Sequence, residues 1–155
     1  MSKVLIDSNI FLYFLLDSFT SDVCKNKILE MFESIHDKKL KAYTTTRIVD
    51  EVIFKLMLSN SKYKTKAFHK LKNDKEEAKR LHFVYEEFFT FLDDFCIEVL
   101  NISKTDLQHS ASIVKEFGIF GNDAITLKVM LKKDIEFIAT CDGDFGNIEI
   151  VKKLI

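Results

Sequence analysis

An α/β fold with a parallel sheet of four to five strands, flanked by helices, is predicted by three observations. Short apolar, β-branched runs alternate with longer segments of helical periodicity, the order that β-α-β units require. Two of those runs, Val4-Leu5-Ile6 and Phe137-Ile138-Ala139-Thr140, deliver aspartates, Asp7 and Asp142, at their C-terminal ends. Apolar residues make up 47% of the 155, with four glycines and no proline, a composition for a packed, helix-rich chain and not for a disordered one. No internal repeat or linker is visible, so one domain over residues 1–155 is expected, burying roughly 70% of its unfolded surface.

The elements follow in order. A first strand at about 3–7 leads into a helix starting near Ser8 or Asn9. Ile28, Leu29, Phe32 and Ile35 recur at helical spacing in a second helix over roughly 20–38. Lys41 to Thr45 reads as strand two. The helix from about Arg47 buries Ile48, Val49, Val52, Ile53 and Leu56. Residues 59–97 form a lysine-rich, partly irregular segment: Ser59-Asn60-Ser61 breaks the preceding helix, and Val84, Phe88, Phe91 or Leu92, and Phe95 mark an amphipathic helix from Leu81. Ile97 to Ile102 alternates as strand three. Ser103 caps the next helix with Asp106 three residues on, and Gly118 stops it. A helix from about Asp123 to Lys132 precedes strand four, Glu136 to Thr140, and Ile148 to Val151 suits a fifth strand.

The acids are the informative residues. Singly, each has a plain explanation. Asp7 and Asp123 stand where helices begin and suit N-caps, Asp142 and Asp144 flank Gly143 in a turn, and Glu51 lies four residues from both Arg47 and Lys55 in an ion-pair ladder. Jointly they are harder to explain. A parallel sheet gathers strand ends and helix starts on one edge, where such folds bind ligands. Two carboxylates ~5.5 Å apart at an effective dielectric of ~20 repel by about 3 kcal/mol. Convergence therefore implies a hard divalent cation and phosphate chemistry.

Other classes fit poorly. The 23 basic and 24 acidic residues nearly cancel, so any electrostatic recognition is local. His36, His69, His82 and His109 show no zinc-protease spacing. Cys24, Cys96 and Cys141 are odd in number and scattered, which suits a reducing cytoplasm and no disulfide framework; Cys141 reads as a small residue closing strand four and not as a nucleophile. The apolar run Ile10 to Leu16 is short of the ~20 residues a bilayer requires, so no membrane partner is expected and burial among neighbouring helices accounts for it. A haloacid-dehalogenase phosphatase needs a second aspartate where Asn9 stands, and a receiver domain needs paired acids at the first strand.

The chain resembles the PIN-domain nucleases, and within them the toxin ribonucleases of VapC type. The resemblance rests on VLIDSNIFLY, TTTRIVDEVIFKL, GNDAITLKVML and IATCDGDF, which occur in the family's order. It implies a three-layer α/β/α fold and a Mg²⁺- or Mn²⁺-dependent endoribonuclease of the cytoplasm. It also implies an RNA substrate, and it leaves an antitoxin protein or a second copy of the chain open as partners. Asp7, Glu51, Asp123 and Asp142 fall on the family's acidic positions. Asp7, Asp123, Asp142 and Asp144 are the expected metal ligands, Asn9 and Thr140 supporting polar residues, and Glu51 or Asp123 the general base. Asp50 departs from the family's small or apolar residue, and helix geometry turns it away from Glu51 by roughly 100°. A PIN-type RNA-processing nuclease that is no toxin, or an inactive binding module, is the alternative.

Nine of the 23 basic residues lie between Lys55 and Arg80, with Tyr63, Phe68 and His82 interleaved. Lys62, Lys66, Lys70 and Lys72 are the candidate RNA contacts, since lysines attract the backbone and aromatic rings stack on bases. A solvated helical face is the competing account.

Overall fold

Five parallel strands make one sheet: β1 (Ser2–Ile6), β2 (Leu40–Thr45), β3 (Glu98–Leu100), β4 (Phe137–Ala139) and β5 (Lys152–Lys153), in the spatial order β3-β2-β1-β4-β5. The computed structural model describes residues 1–64 and 68–155. The helices among the described residues are α1 (Ser8–Leu15), α2 (Asp22–His36), α3 (Thr46–Asn60), α4 (Phe68–Asn73), α5 (Lys75–Arg80), α6 (Phe83–Asp94), α7 (Lys104–Phe117) and α8 (Asn122–Lys132).

The strand order decides where a site can form. From β1 the chain steps outward through β2 to β3, then returns past β1 to β4. Right-handed crossovers place the helices of the outward leg on one face and those of the return leg on the other. The packing agrees: α1 touches α2 and α3, α3 touches α6, and α7 pairs with α8. The reversal falls between β1 and β4, and a crevice opens at their C-terminal ends. Ile6 is in register with Ala139, so the next residues, Asp7 and Thr140, emerge side by side.

Burial explains the strand sequences. Val4, Leu5, Ile6, Ile138 and Ala139 are fully buried, as strands covered on both faces must be. The helices of the outward leg meet in an aromatic cluster: Phe11 packs edge-on to Phe88 at 5.4 Å, Phe14 lies 4.2 Å from Phe32, and Phe91 lies 4.9 Å from Phe95. The apolar run on α1 is only partly enclosed. Ile10 and Phe11 are buried, Leu12 to Leu15 are half-buried, and Leu16 is exposed. Among the described residues no helix is long and apolar enough to cross a membrane.

Several boundaries differ from the sequence reading. Strand three shrinks to Glu98–Leu100. The fifth strand is Lys152–Lys153, not Ile148 to Val151. Ile148 and Val151 are apolar because they plug the core from a turn, whereas the sheet bonds come later, from Lys152 N–H to the Glu136 carbonyl and Leu154 N–H to the Ile138 carbonyl, each at 2.8 Å. In the 59–97 segment, the aromatic helix starts at Phe83 and Leu92, not Phe91, takes the buried position after Val84 and Phe88.

The lysine-rich part of that segment is stapled to the end of α3. Buried Glu77 accepts hydrogen bonds from the Lys62 backbone at 3.0 Å and from Arg80 at 2.6 and 3.1 Å, and Arg80 also reaches the Asn60 carbonyl at 3.2 Å. These contacts, the Arg80 guanidinium first, hold the Glu77 carboxyl down at about 2. Leu58, Leu71 and Leu81 form a small second core beneath it.

The return leg is fixed by its caps. Ser103 and Asp106 form a reciprocal capping box, and Asp106 also pairs with Lys132 at 3.1 Å, joining α7 to the last turn of α8. Gly118 ends α7 in the left-handed region at φ 71°, its N–H bonded to the Val114 carbonyl. A Cβ there meets nothing within 4 Å, so the penalty for a side chain is conformational. Gly118→Ala is expected to cost about 1 kcal/mol, read as a lower urea midpoint at unchanged slope.

Candidate active site

The acidic side chains reach the crevice from three elements. Asp7 follows β1 and N-caps α1, Asp123 lies in the first turn of α8, and Asp142 caps the 3-10 turn Gly143–Asn147 that follows β4. The Asp142 carboxylate accepts the Asp144 backbone N–H at 2.9 Å, which folds the turn so that Asp144 returns to the same place. Carboxylate oxygens of Asp123, Asp142 and Asp144 all lie within 4.8 Å of one another.

Asp7 is joined to this group through a polar relay. It is buried, accepts the Ser8 N–H at 2.8 Å, and takes the Thr140 hydroxyl at 2.7 Å. The same Thr140 oxygen accepts the Asp142 N–H at 3.0 Å and the Asn9 amide at 3.5 Å, while the Asn9 carbonyl holds the Cys141 N–H at 3.2 Å. Thr140 and Asn9 thus tie the ends of β1 and β4 together.

The electrostatics are those of crowded, partly desolvated carboxylates. Burial raises Asp7 above the ordinary aspartate range against the pull of Thr140 and Ser8, and the charges of Glu51 and Asp142 raise it further. Asp123 is pushed up to about 7, first by burial and then by Asp142, Asp7 and Asp144. A carboxyl near 7 is about half protonated at neutral pH.

Glu51 stands at the rim. It is half-buried, its charge is felt at Asp7, and its carboxylate is paired with Lys55 at 2.6 Å across one turn of α3. The ion-pair ladder therefore exists on its Lys55 side, beside the crevice. Asp50 is exposed, as its position on the helix requires.

A PIN domain profile matches residues 4–151. The chain belongs to the PIN-domain family. This PIN domain is 22% identical over 153 residues to the ribonuclease VapC2 of Methanocaldococcus jannaschii, covering 97% of this chain and 92% of that protein. Its fold is shared with a toxin–antitoxin complex from Klebsiella pneumoniae at a TM-score of 0.60 and 17% identity, covering 98% of each chain. It is shared also with VapBC2 from Rickettsia felis bound to a promoter DNA fragment, at 0.59 and 12%, covering 97% of this chain and 96% of that one.

Two features of this PIN domain carry no signal in the sequence. The buried Oδ1 of Asn122, beside Asp123, has no hydrogen-bond partner among the described residues. Cys24 and Cys141, distant in the chain, meet next to the site with their sulfurs 3.9 Å apart. Burial and the neighbouring Cys24 push the Cys141 thiol up to about 11, which disfavours the thiolate that a nucleophile needs.

The candidate RNA-binding lysines of the PIN domain divide. Lys62 is exposed, but its ammonium pairs with Asp74 at 3.0 Å and sits over the Tyr63 ring at 5.1 Å. Lys70 and Lys72 are exposed in the last turn of α4. Lys66 lies outside the described residues.

Proposed function

We propose that the protein is a metal-dependent endoribonuclease that hydrolyses RNA phosphodiester bonds, acting as the toxin of a toxin–antitoxin pair. The observation that carries the chemistry is the convergence of Asp123, Asp142 and Asp144 within 4.8 Å. The donor set fits Mg²⁺ or Mn²⁺: hard oxygen ligands in a small group, leaving room for retained waters. The unpartnered Asn122 oxygen suits a water of such a hydrated ion. The toxin reading is supported by the likeness to VapC2 and to the two toxin–antitoxin structures, and it makes a cognate antitoxin protein the expected partner.

Asp123, Asp142 and Asp144 would hold the ion, with Asp7 contributing through its place beside Thr140. A bound ion supplies Lewis-acid polarisation of the phosphate and a lower pKa for water. The protein's own residues do the rest. Thr140 and Asn9 keep the two strand ends in register. Asp123 gives up its proton when a cation takes its place, which leaves Glu51 as the carboxylate for accepting a proton from the attacking water. The Lys55 ammonium holds the Glu51 side chain at the rim.

The deciding experiment is cleavage of single-stranded RNA by purified protein with Mg²⁺ or Mn²⁺, against a chelator control. Cleavage that requires the ion supports the reading, and none under either ion overturns it. Slowed growth on expression without a partner, relieved by Glu51→Gln, is the result expected of a toxin. Harmless expression of an active enzyme would favour RNA processing.

RNA affinity is assigned to the lysine-rich segment. Changing Lys66, Lys70 and Lys72 together to Gln is expected to raise KM, leave kcat at saturating RNA nearly intact, and flatten the log–log salt dependence by about 0.7 per lost phosphate contact. An unchanged slope in a filter-binding titration would return these residues to a solvated face.

A further inference from the structure

Cys24 and Cys141 are 117 positions apart in the chain, yet their sulfurs lie 3.9 Å from each other, both half-buried. Cys24 sits in the first turn of α2, its N–H bonded to the capping Ser21 hydroxyl at 3.1 Å. Cys141 stands between Thr140 and Asp142, anchored through its N–H to Asn9. The third cysteine, Cys96, is exposed. A disulfide needs its sulfurs about 2 Å apart. Closing the gap moves the sulfurs about 2 Å toward each other, and Cys141 is bonded on one side to Asn9 and followed in the chain by Asp142.

We infer that Cys24 and Cys141 form a dithiol oxidation site, at which a hydroperoxide produces a disulfide that pins the start of α2 to the loop carrying Asp142 and weakens the acidic cluster's hold on a divalent cation. The last clause rests on the proposed nuclease function; the oxidation site does not. The chemistry balances. The Cys24 thiol loses its proton and attacks a peroxide oxygen, becoming a sulfenic acid as the O–O bond breaks and one water (or alcohol) leaves. The second sulfur then attacks the first, and its proton departs with the displaced hydroxide as water. Two thiols are oxidised by two electrons, and the peroxide is reduced.

The bridge would alter the site by position alone. Asp142 is held by its N–H to Thr140 and in turn orients Asp144, so a shift of Cys141 reaches two of the three converging carboxylates. Groups that orient metal ligands are worth roughly 10–100-fold in metal affinity.

The test uses the full chain carrying Cys96→Ser, which removes the exposed thiol. Treated with hydrogen peroxide, it should lose the mass of two hydrogens and yield a peptide joining the Cys24 and Cys141 segments, both reversed by dithiothreitol. Mn²⁺ affinity by calorimetry should fall about tenfold on oxidation and recover on reduction. Cys24→Ser in the same background should show neither change. Gain of oxygen atoms without loss of hydrogens would overturn the site, and a bridge that leaves Mn²⁺ affinity unchanged would overturn its effect. Absence of Mn²⁺ binding to the reduced protein counts against the nuclease reading, whereas the mass measurement decides the dithiol site by itself.

Discussion

Asp123→Asn is expected to lower RNA cleavage at least about a hundredfold while raising the melting temperature of the metal-free protein at pH 8. The two effects have one origin. Asp123 is pushed to about 7 in the folded state from an ordinary 3.8, so between those values the native protein binds more proton than the unfolded chain. Stability is then full below about 4 and is lost as pH rises through 7. For this partly exposed group, solvent screening leaves on the order of 1–2 kcal/mol. Asparagine has no proton to lose, so the variant should lose less stability than the wild type over that window, Asp7 still contributing its own share. Adding Mn²⁺ should reverse the order, because the wild type gains binding energy that the variant lacks. Melting curves at pH 5 and 8, with and without metal, decide it. Cleavage at the wild-type rate, or a wild-type protein no less stable at pH 8 than at pH 5, would contradict the assignment.

Thr140→Val should cost about 2–3 kcal/mol at neutral pH. The side chain is fully buried, and valine keeps its shape while removing the hydroxyl that donates to Asp7 and accepts from the Asp142 N–H. Asp7 would retain only the Ser8 N–H in a buried position. Because Thr140 is the hydroxyl that pulls Asp7 down against burial, its loss raises Asp7 further. The deficit should therefore be smaller in acid than in alkali, because the hydroxyl favours the charged form of Asp7. Thr140→Ser should restore most of the stability. Urea unfolding at pH 4 and 8 is the measurement, and an equal deficit at both would mean that lost packing, not the carboxylate, is responsible.

The sheet and its helices were legible because the inner strands β1, β2 and β4 are largely buried on both faces and the longer helices have an apolar stripe. Val4-Leu5-Ile6 and Ile138-Ala139 admit few other environments. The aspartates were legible for a related reason: a carboxylate directly after such a run must lie at a strand end. How the acids group was not. Asp144 joins Asp123 and Asp142 because a backbone hydrogen bond to the Asp142 side chain closes a turn, which does not follow from spacing along a helix or strand. The Glu51–Lys55 pair does follow from helical spacing, but the place of Glu51 beside Asp7 does not. The fifth strand was misplaced because Ile148 and Val151 carry a core pattern without a sheet role. The approach of Cys24 to Cys141, like the reach of Glu77 to the Lys62 backbone, joins residues whose neighbours in sequence say nothing of each other.

The bond from Thr140 to Asp7 spans 133 positions, and this has a consequence for synthesis. A ribosome adding residues at about 5–20 per second needs on the order of ten seconds to travel from one to the other. During that interval the nascent chain gains Glu51 and later Asp123 beside Asp7, but not β4, the strand that aligns them. β4 lies beside β1 in the sheet though it is made long after it, so the crevice cannot close until β4 has been made. A chain stalled before residue 137 would lack Thr140, Asp142 and Asp144 together, and with them the alignment of Asp7.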